Sequence, residues 1–267
     1  MRLNNLEGKD FSNLKGVYSG GDKLSLELKK RIDDFLHAHG AKIDVREGYG
    51  ATETVNACCL TPIHKSKPGS IGVPLPDTYF KVVEPGTDKE LPLNTVGELL
   101  VAGATTMKRY LNNEEETKLT LRTHDDGLTW VYTGDLGMMD DEGFIYFTGR
   151  AKRMIITSGY NVYPNQLEQI IDKCDVVDAS CVIGVKDPLR VEKVKAYIVL
   201  KEGVEKIPLT KRKIMDYCSS NIAKYAMPRE IEFIDALPKT KLGKVDYRLL
   251  QEESNKKAEK RNARLKQ

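Results

Sequence analysis

The chain has 267 residues, 40% hydrophobic and 30% charged, with 42 basic and 39 acidic side chains for a net charge of +3. This is enough material for two ordinary domains with real cores. The near-balanced charge gives no ground for nucleic-acid binding, no apolar run reaches the ~18 residues of a membrane span, and the first ten residues, MRLNNLEGKD, contain no apolar signal region.

Taken in order, residues 14–21 read as a short strand ending in Gly20-Gly21-Asp22. A helix is predicted from about Lys23 to His39, with Leu24, Leu28, Ile32, Phe35 and Leu36 on one face and Gly40 at its C′ position. A strand at Ile43–Arg46 then leads to a Gly-rich turn, Glu47-Gly48-Tyr49-Gly50-Ala51-Thr52-Glu53. Strand, turn, helix, strand and turn imply an α/β layer over residues 1–60. Residues 61–150 change texture. Strands are predicted at Tyr79–Val83, Gly97–Val101, Trp130–Tyr132 and Phe144–Phe147, with a short helix at 112–121. They imply a small antiparallel sheet or distorted barrel.

After Arg150 the pattern is α+β. Strands are predicted at Arg153–Thr157, Ser180–Lys186, Lys193–Leu200 and Glu230–Ile234. Helices are predicted at Pro164–Ile171, opened by the proline, and at Thr210–Ile222, capped by the threonine. Residues 151–250 thus form one domain of ordinary size. Residues 251–267 read as a charged tail, either a solvated helix or frayed.

Four stretches carry chemistry. In Gly48–Glu53 the glycines allow backbone N–H groups to approach phosphate, Thr52 can donate to a phosphate oxygen, Glu53 can hold Mg²⁺ and Tyr49 can stack on a base. Thr133-Gly134-Asp135 places a carboxylate on a tight turn, where it can accept from both hydroxyls of a ribose. Arg150 can reach that carboxylate, a sugar or a phosphate. Leu237–Asp246 holds Lys244 in a glycine-containing loop, where it can meet a developing negative charge. Each stretch alone is also a plain turn or a surface side chain. None is a dinucleotide fingerprint or a P-loop, and no Gly-x-Ser-x-Gly, His-Glu-x-x-His or paired cysteine ligands occur. The cysteines, Cys58, Cys59, Cys174, Cys181 and Cys218, form no Cys-x-x-Cys pair. Free thiols in a reducing, cytoplasmic setting are expected. His37 and His39 lie two apart on a predicted helix and do not face one another, so no histidine metal site is expected.

In series, these stretches resemble the adenylate-forming, AMP-binding superfamily: acyl- and aryl-CoA synthetases, luciferases and peptide-synthetase adenylation domains. The matching residues are Ser19-Gly20-Gly21-Asp22, Gly48–Glu53, Gly97-Glu98-Leu99 with Tyr110-Leu111-Asn112 and Glu116-Thr117, Tyr132–Gly137, Gly149-Arg150-Ala151-Lys152, Gly159–Pro164 with Glu168, and Leu237–Lys244. Glu47–Glu53 is most similar to fatty acyl-CoA synthetases, and Asn161-Val162-Tyr163-Pro164 to CoA ligases.

The resemblance implies a partial large adenylation domain over residues 1–150, an α/β piece plus a small β-barrel-like subdomain. A mobile α+β C-terminal domain would follow over residues 151–250. It also implies roles. Gly20 and Gly21 would hold the adenine with Tyr49 stacked on it, and Asp22, Glu47, Gly48 and Gly50 would belong to the same nucleotide-binding set. Thr52 would contact the α-phosphate and Glu53 would bind Mg²⁺. Asp135 and Arg150 would bind the ribose, and Lys152 would be the hinge. Lys244 would bridge the carboxylate and α-phosphate of ATP, and the Ser158-Gly159-Tyr160 loop would line the passage for coenzyme A.

The implied reaction joins a carboxylic acid, of fatty type, to AMP and then to CoA, with domain rotation between the two steps. The family's upstream Ser/Thr/Gly-rich phosphate loop ending in Pro-Lys-Gly has no counterpart here. The chain is therefore expected to be the C-terminal portion of such a ligase, inactive alone, and to self-associate through the surface that would meet the other half. Loading of a carrier protein, or a non-catalytic AMP-binding or interaction module, are the alternatives.

Overall fold

The computed structural model describes residues 8–21, 24, 26–55, 57–241 and 243–264. The chain divides into two compact units, Met1–Phe147 and Thr148–Gln267.

The first unit opens with a parallel β-α-β arrangement: β1 (Val17–Ser19), α1 (Leu26–Ala38) and β2 (Val45–Gly50). Leu36 and Ile32 of α1 bury against Leu24, Ala41, Val45, Phe11 and Val17, while Leu28 is exposed. Gly40 terminates the helix at φ +87° as expected, and the Ala41 N–H returns to the Leu36 carbonyl at 3.0 Å. The predicted turn at 47–53 is corrected in its first half: Glu47–Gly50 continue β2, and Gly48–Gly50 pair antiparallel with β3 (Ala57–Leu60). The ladder with β3 supplies hydrogen bonds that local glycine content does not reveal. The chain instead turns at a 3₁₀ segment, Thr52–Thr54. β4 (Val73–Pro74) completes a four-stranded sheet in the order β1-β2-β3-β4.

The β-rich piece is a five-stranded antiparallel sheet in the order β5-β6-β8-β7, with β9 also paired to β8. Its members are β5 (Thr78–Val83), β6 (Gly97–Gly103), β7 (Leu121–Thr123), β8 (Thr129–Met139) and β9 (Ile145–Arg150), with α2 (Glu114–Thr120) before β7. Asn113 caps α2 by accepting from the Glu116 N–H at 3.1 Å.

The second unit is built on β10 (Ile155–Thr157), β11 (Tyr160–Val162), β12 (Val177–Asp187), β13 (Val191–Leu200) and β14 (Glu230–Phe233), with α3 (Pro164–Ile171), α4 (Pro208–Asn221) and α5 (Tyr247–Arg264). Strand alternation sorts its two cores. Val182, Val194, Ala196 and Ile198 meet α3 and α4 through Leu167, Ile171, Ile214 and Cys218. Cys181, Ile183, Val185 and Tyr197 meet Leu250 and Ala258 of α5.

Two sequence expectations change here. Helix α4 begins at Pro208, and Thr210 lies inside its first turn, donating to the Glu205 carbonyl at 2.8 Å. Residues 251–264 of the charged tail continue α5, which has one buried stripe, Leu250, Ser254 and Ala258. The Ser254 hydroxyl shares a 2.6 Å hydrogen bond with that of Tyr197. Two of the three stripe residues are small, so hydropathy does not register the face.

The α5 side of the sheet also buries a charge network. Lys195 is 2% exposed and contacts Glu232 at 2.6 Å and Glu230 at 3.0 Å. Burial acts to raise the Glu230 pKa, but Lys193 and Lys195 outweigh it and hold the group down from 4.5 to about 2. A folded pKa below the unfolded one contributes stability above the unfolded value, and that stability is lost as pH falls through the folded value. The urea midpoint of the chain is therefore expected to drop between about pH 4.5 and pH 2, and Glu230→Gln to flatten that drop. An unchanged profile in the variant would count against the network.

Candidate functional site

In the first unit the structure brings Glu47, Gly48 and Tyr49 to β2, beside the Ser19–Gly20 end of β1. Ser19 registers opposite Glu47, and a Cβ at Gly20 would lie 3.2 Å from the Gly48 carbonyl. Gly21 follows, while Asp22 lies outside the described residues. The buried Glu47 segment is fixed to β3, since the Thr61 N–H and hydroxyl both donate to the Glu47 carbonyl, at 2.8 and 2.9 Å.

Asp135 reaches Tyr49 across 86 residues of sequence: the Tyr49 hydroxyl donates to its Oδ2 at 2.6 Å. Burial first, then the adjacent Asp135 charge, pushes the Tyr49 phenol well above its ordinary pKa, so it remains a donor. Its ring packs beside Phe147 and Phe80, with centroids 6.4 and 6.5 Å away.

The carboxylate of Asp135 is aimed by a bulge. Opposite Leu99, β8 carries the three residues Thr133-Gly134-Asp135 between the Glu98–Leu136 and Leu100–Tyr132 pairs. The Thr133 hydroxyl donates to the Leu99 carbonyl at 2.6 Å and accepts from the Asp135 N–H at 3.0 Å. Gly134 sits at φ +67°, where a side chain is strained, and its N–H donates to Glu98 Oε1 at 3.0 Å. Glu98 is the acid among apolar neighbours on buried β6, and that contrast is the sequence signal for its role.

The turn after Gly50 is closed by Thr54, whose Oγ1 donates to the Ala51 carbonyl at 3.0 Å. Val55 follows at φ +68°, a conformation that a β-branched residue holds only when its surroundings impose it. Gly50 and Thr52 are exposed, and Glu53 is half-buried. The Tyr110 hydroxyl donates to Glu53 Oε1 at 2.5 Å, and the Met107 N–H donates to the Glu53 carbonyl at 2.8 Å. Sequence reasoning had not paired Tyr110 with Glu53. Among the described residues there is no group of three or more His, Cys, Asp or Glu that could cage a metal. One half-buried carboxylate fits Mg²⁺ arriving with a nucleotide, since that ion takes one or two carboxylates plus substrate phosphates.

The remaining residues belong to the second unit. Arg150 ends β9 exposed, and Lys152 is exposed on the 3₁₀ turn Ala151–Arg153. Ser158 and Gly159 join β10 to β11 in a two-residue hairpin with φ +51° and +84°, the signature of a type I′ turn. Tyr160 stacks on Tyr225 at 4.4 Å and 19°. Lys244 is exposed on a hairpin held by Thr240 N–H to the Lys244 carbonyl (2.7 Å), Gly243 N–H to the Thr240 carbonyl (2.9 Å) and Asp246 N–H to the Pro238 carbonyl (2.8 Å). Cys58 packs against the first set, its thiol donating to the Tyr49 carbonyl at 3.4 Å. All five cysteines are free and buried, and burial lifts Cys58 to about 11 and Cys181 to about 12.

Two protein-family models match: the AMP-binding enzyme over residues 1–111, and the AMP-binding enzyme C-terminal domain over residues 166–244. The chain belongs to the AMP-binding enzyme family. It is 38% identical over 251 residues to the long-chain-fatty-acid–CoA ligase of Bacillus subtilis (strain 168), covering 93% of this chain and 42% of that one. It is 36% identical over 244 residues to the luciferin 4-monooxygenase of Nipponoluciola cruciata, covering 91% and 42%. Among solved structures, ATP-bound MatB from Rhodopseudomonas palustris matches with a TM-score of 0.77 at 33% identity, covering 89% and 45%. The chain thus spans less than half the length of these relatives. In this AMP-binding chain no helix among the described residues is long and apolar enough to cross a membrane.

Proposed function

We propose that this AMP-binding chain supplies the ribose-, metal- and lysine-bearing elements of an ATP-dependent acid–thiol ligase that activates a carboxylic acid, of fatty type, and passes it to CoA. The observation that supports this reading best is the 2.6 Å bond from Tyr49 to Asp135. It brings two motifs far apart in sequence into contact, with an aromatic ring beside a carboxylate suited to a ribose diol. Arg150 is the second ribose contact, Lys152 the hinge, Gly20 and Gly21 hold the adenine with Tyr49 stacked on it, and Asp22, Glu47, Gly48 and Gly50 complete the nucleotide-binding set.

A carboxylate and a triphosphate repel. In the first step a carboxylate oxygen attacks the α-phosphorus and pyrophosphate leaves. Lys244 neutralises charge between the two anions, and Thr52 donates to the α-phosphate. Glu53, oriented by Tyr110, would hold Mg²⁺, which supplies charge neutralisation on the phosphates. In the second step the CoA sulfur attacks the acyl carbonyl and AMP leaves. The Ser158–Tyr160 hairpin lines the thiol's path, and rotation of the second unit exchanges Lys244 for that hairpin. This chemistry belongs to an enzyme of the relatives' full length, and the chain alone adenylates poorly because it carries no Ser/Thr/Gly-rich phosphate loop.

The test is mass spectrometry of acyl-CoA formed from ATP, Mg²⁺, CoA and a panel of carboxylic acids. It uses the chain alone and the chain joined to the upstream half of the Bacillus subtilis relative. Thioester from the joined enzyme alone is the expected result. Robust turnover by the isolated chain would overturn the claim of dependence. Product only when a carrier protein replaces CoA would move the assignment to carrier loading.

A further inference from the structure

The second unit contains an arginine that none of the roles above employs. Arg153 closes the 3₁₀ turn that carries Lys152. Its guanidinium donates through Nη1 to Asn165 Oδ1 at 2.8 Å and through Nη2 to Glu168 Oε1 at 2.6 Å, with a third contact to the Val182 carbonyl at 3.3 Å. Glu168 Oε1 also accepts the Val182 N–H at 2.8 Å, so α3 and β12 are tied to the same pair. The two charged side chains are only 16% and 17% exposed. The guanidinium plane also covers the Tyr247 ring, with its central carbon 4.6 Å from the centroid. Tyr247 is the first residue of α5, three residues after Lys244, and packs against the Leu250 core.

We infer that Arg153 is a positioning residue that clamps the Lys152 turn to the base of the Lys244 hairpin, so that hinge-side turn and catalytic lysine move as one body. Three facts carry it. The guanidinium fork is planar and holds its donors in fixed directions, so it defines a geometry that a lysine ammonium does not. Its partners lie on three different elements, α3, β12 and α5, and all are partly shielded from water, where both ion pair and cation–π contact gain strength. And the Tyr247 contact reaches the hairpin at its base, leaving the exposed Lys244 side chain to engage substrate. A hinge rotation placed at Lys152 can then deliver Lys244 without the hairpin lagging behind. The catalytic part of this inference rests on the adenylation reading, whereas the mechanical part does not.

The experiment is hydrogen exchange on the full 267-residue chain, comparing wild type with Tyr247→Leu, which keeps the apolar contact, and Arg153→Lys, which keeps the charge. The amides of Thr240, Gly243 and Asp246 are expected to exchange about 10-fold faster in both variants, while those of β12 and β13 hold their protection. Unchanged hairpin exchange, or uniform acceleration across the unit, would overturn the clamp. In the enzyme joined to the upstream half, Tyr247→Leu is expected to lower kcat for ATP–pyrophosphate exchange with KM for ATP unchanged, and to spare thioester formation from supplied acyl-adenylate. Equal losses in both half-reactions would mean a merely structural role. Absence of exchange in the unmutated enzyme would defeat the adenylation reading and leave the hydrogen-exchange result to decide the clamp.

Discussion

Lys244→Ala, in the chain joined to an upstream half, is expected to lower acyl-adenylate formation by about 10²–10³-fold, or ~2.7–4 kcal/mol of transition-state stabilisation. Two anions meet in that step, and a fixed cation aimed at the developing charge costs no reorganisation as the reaction proceeds. The hairpin around Lys244 is suited to this: three backbone hydrogen bonds hold it while the side chain stays exposed. ATP–pyrophosphate exchange measures the loss directly. Thioester formation from synthetic acyl-adenylate should survive the substitution, because the α-phosphate bond has by then been made. Exchange at the wild-type rate in the variant would remove Lys244 from the mechanism. Loss of both half-reactions would mean that the hairpin, not the charge, had been damaged.

Asp135→Asn is expected to weaken AMP binding by about 10- to 100-fold, the range for hydrogen bonds to a charged acceptor. The amide still accepts from Tyr49, so the thermal midpoint without ligand should change little. Tyr49→Phe should do the reverse. It leaves the carboxylate in place but strips a donor from a side chain that is 4% exposed, lowering the midpoint more than the affinity. Calorimetric titration with AMP and thermal unfolding of both variants and the double variant give the coupling between the two groups. Unaltered affinity in Asp135→Asn would exclude a ribose contact at that carboxylate.

Several elements were legible because their signals are local. Pro164 sets the start of α3 by its fixed φ and absent N–H, and Gly40 closes α1. The alternation of Val194, Ala196 and Ile198 predicts the face of β13 that is buried. The Ser158-Gly159 pair sits where a two-residue turn needs positive φ. The ordered series of motifs also sufficed to indicate the AMP-binding family, which the family matches and relatives bear out.

Other features depend on partners far apart in sequence. Glu47–Gly50 look like a turn until β1 and β3 are paired beside them. The Asp135 turn becomes a bulge only against Leu99 and Glu98, 36 and 37 residues earlier. The α5 stripe of Leu250, Ser254 and Ala258 is hidden because a serine and an alanine carry no hydrophobic signal until a sheet covers them.

Local chemistry therefore marked which side chains are candidates to meet a nucleotide, since turn type, charge and hydroxyl content are properties of neighbouring residues. Only the tertiary structure decided what holds them: Tyr49 on Asp135, Tyr110 on Glu53, and Arg153 across Glu168 and Tyr247. These contacts join residues 15 to 94 positions apart. Nothing in the order of the chain ranks one such pairing above another until strand register and helix packing bring the atoms within reach.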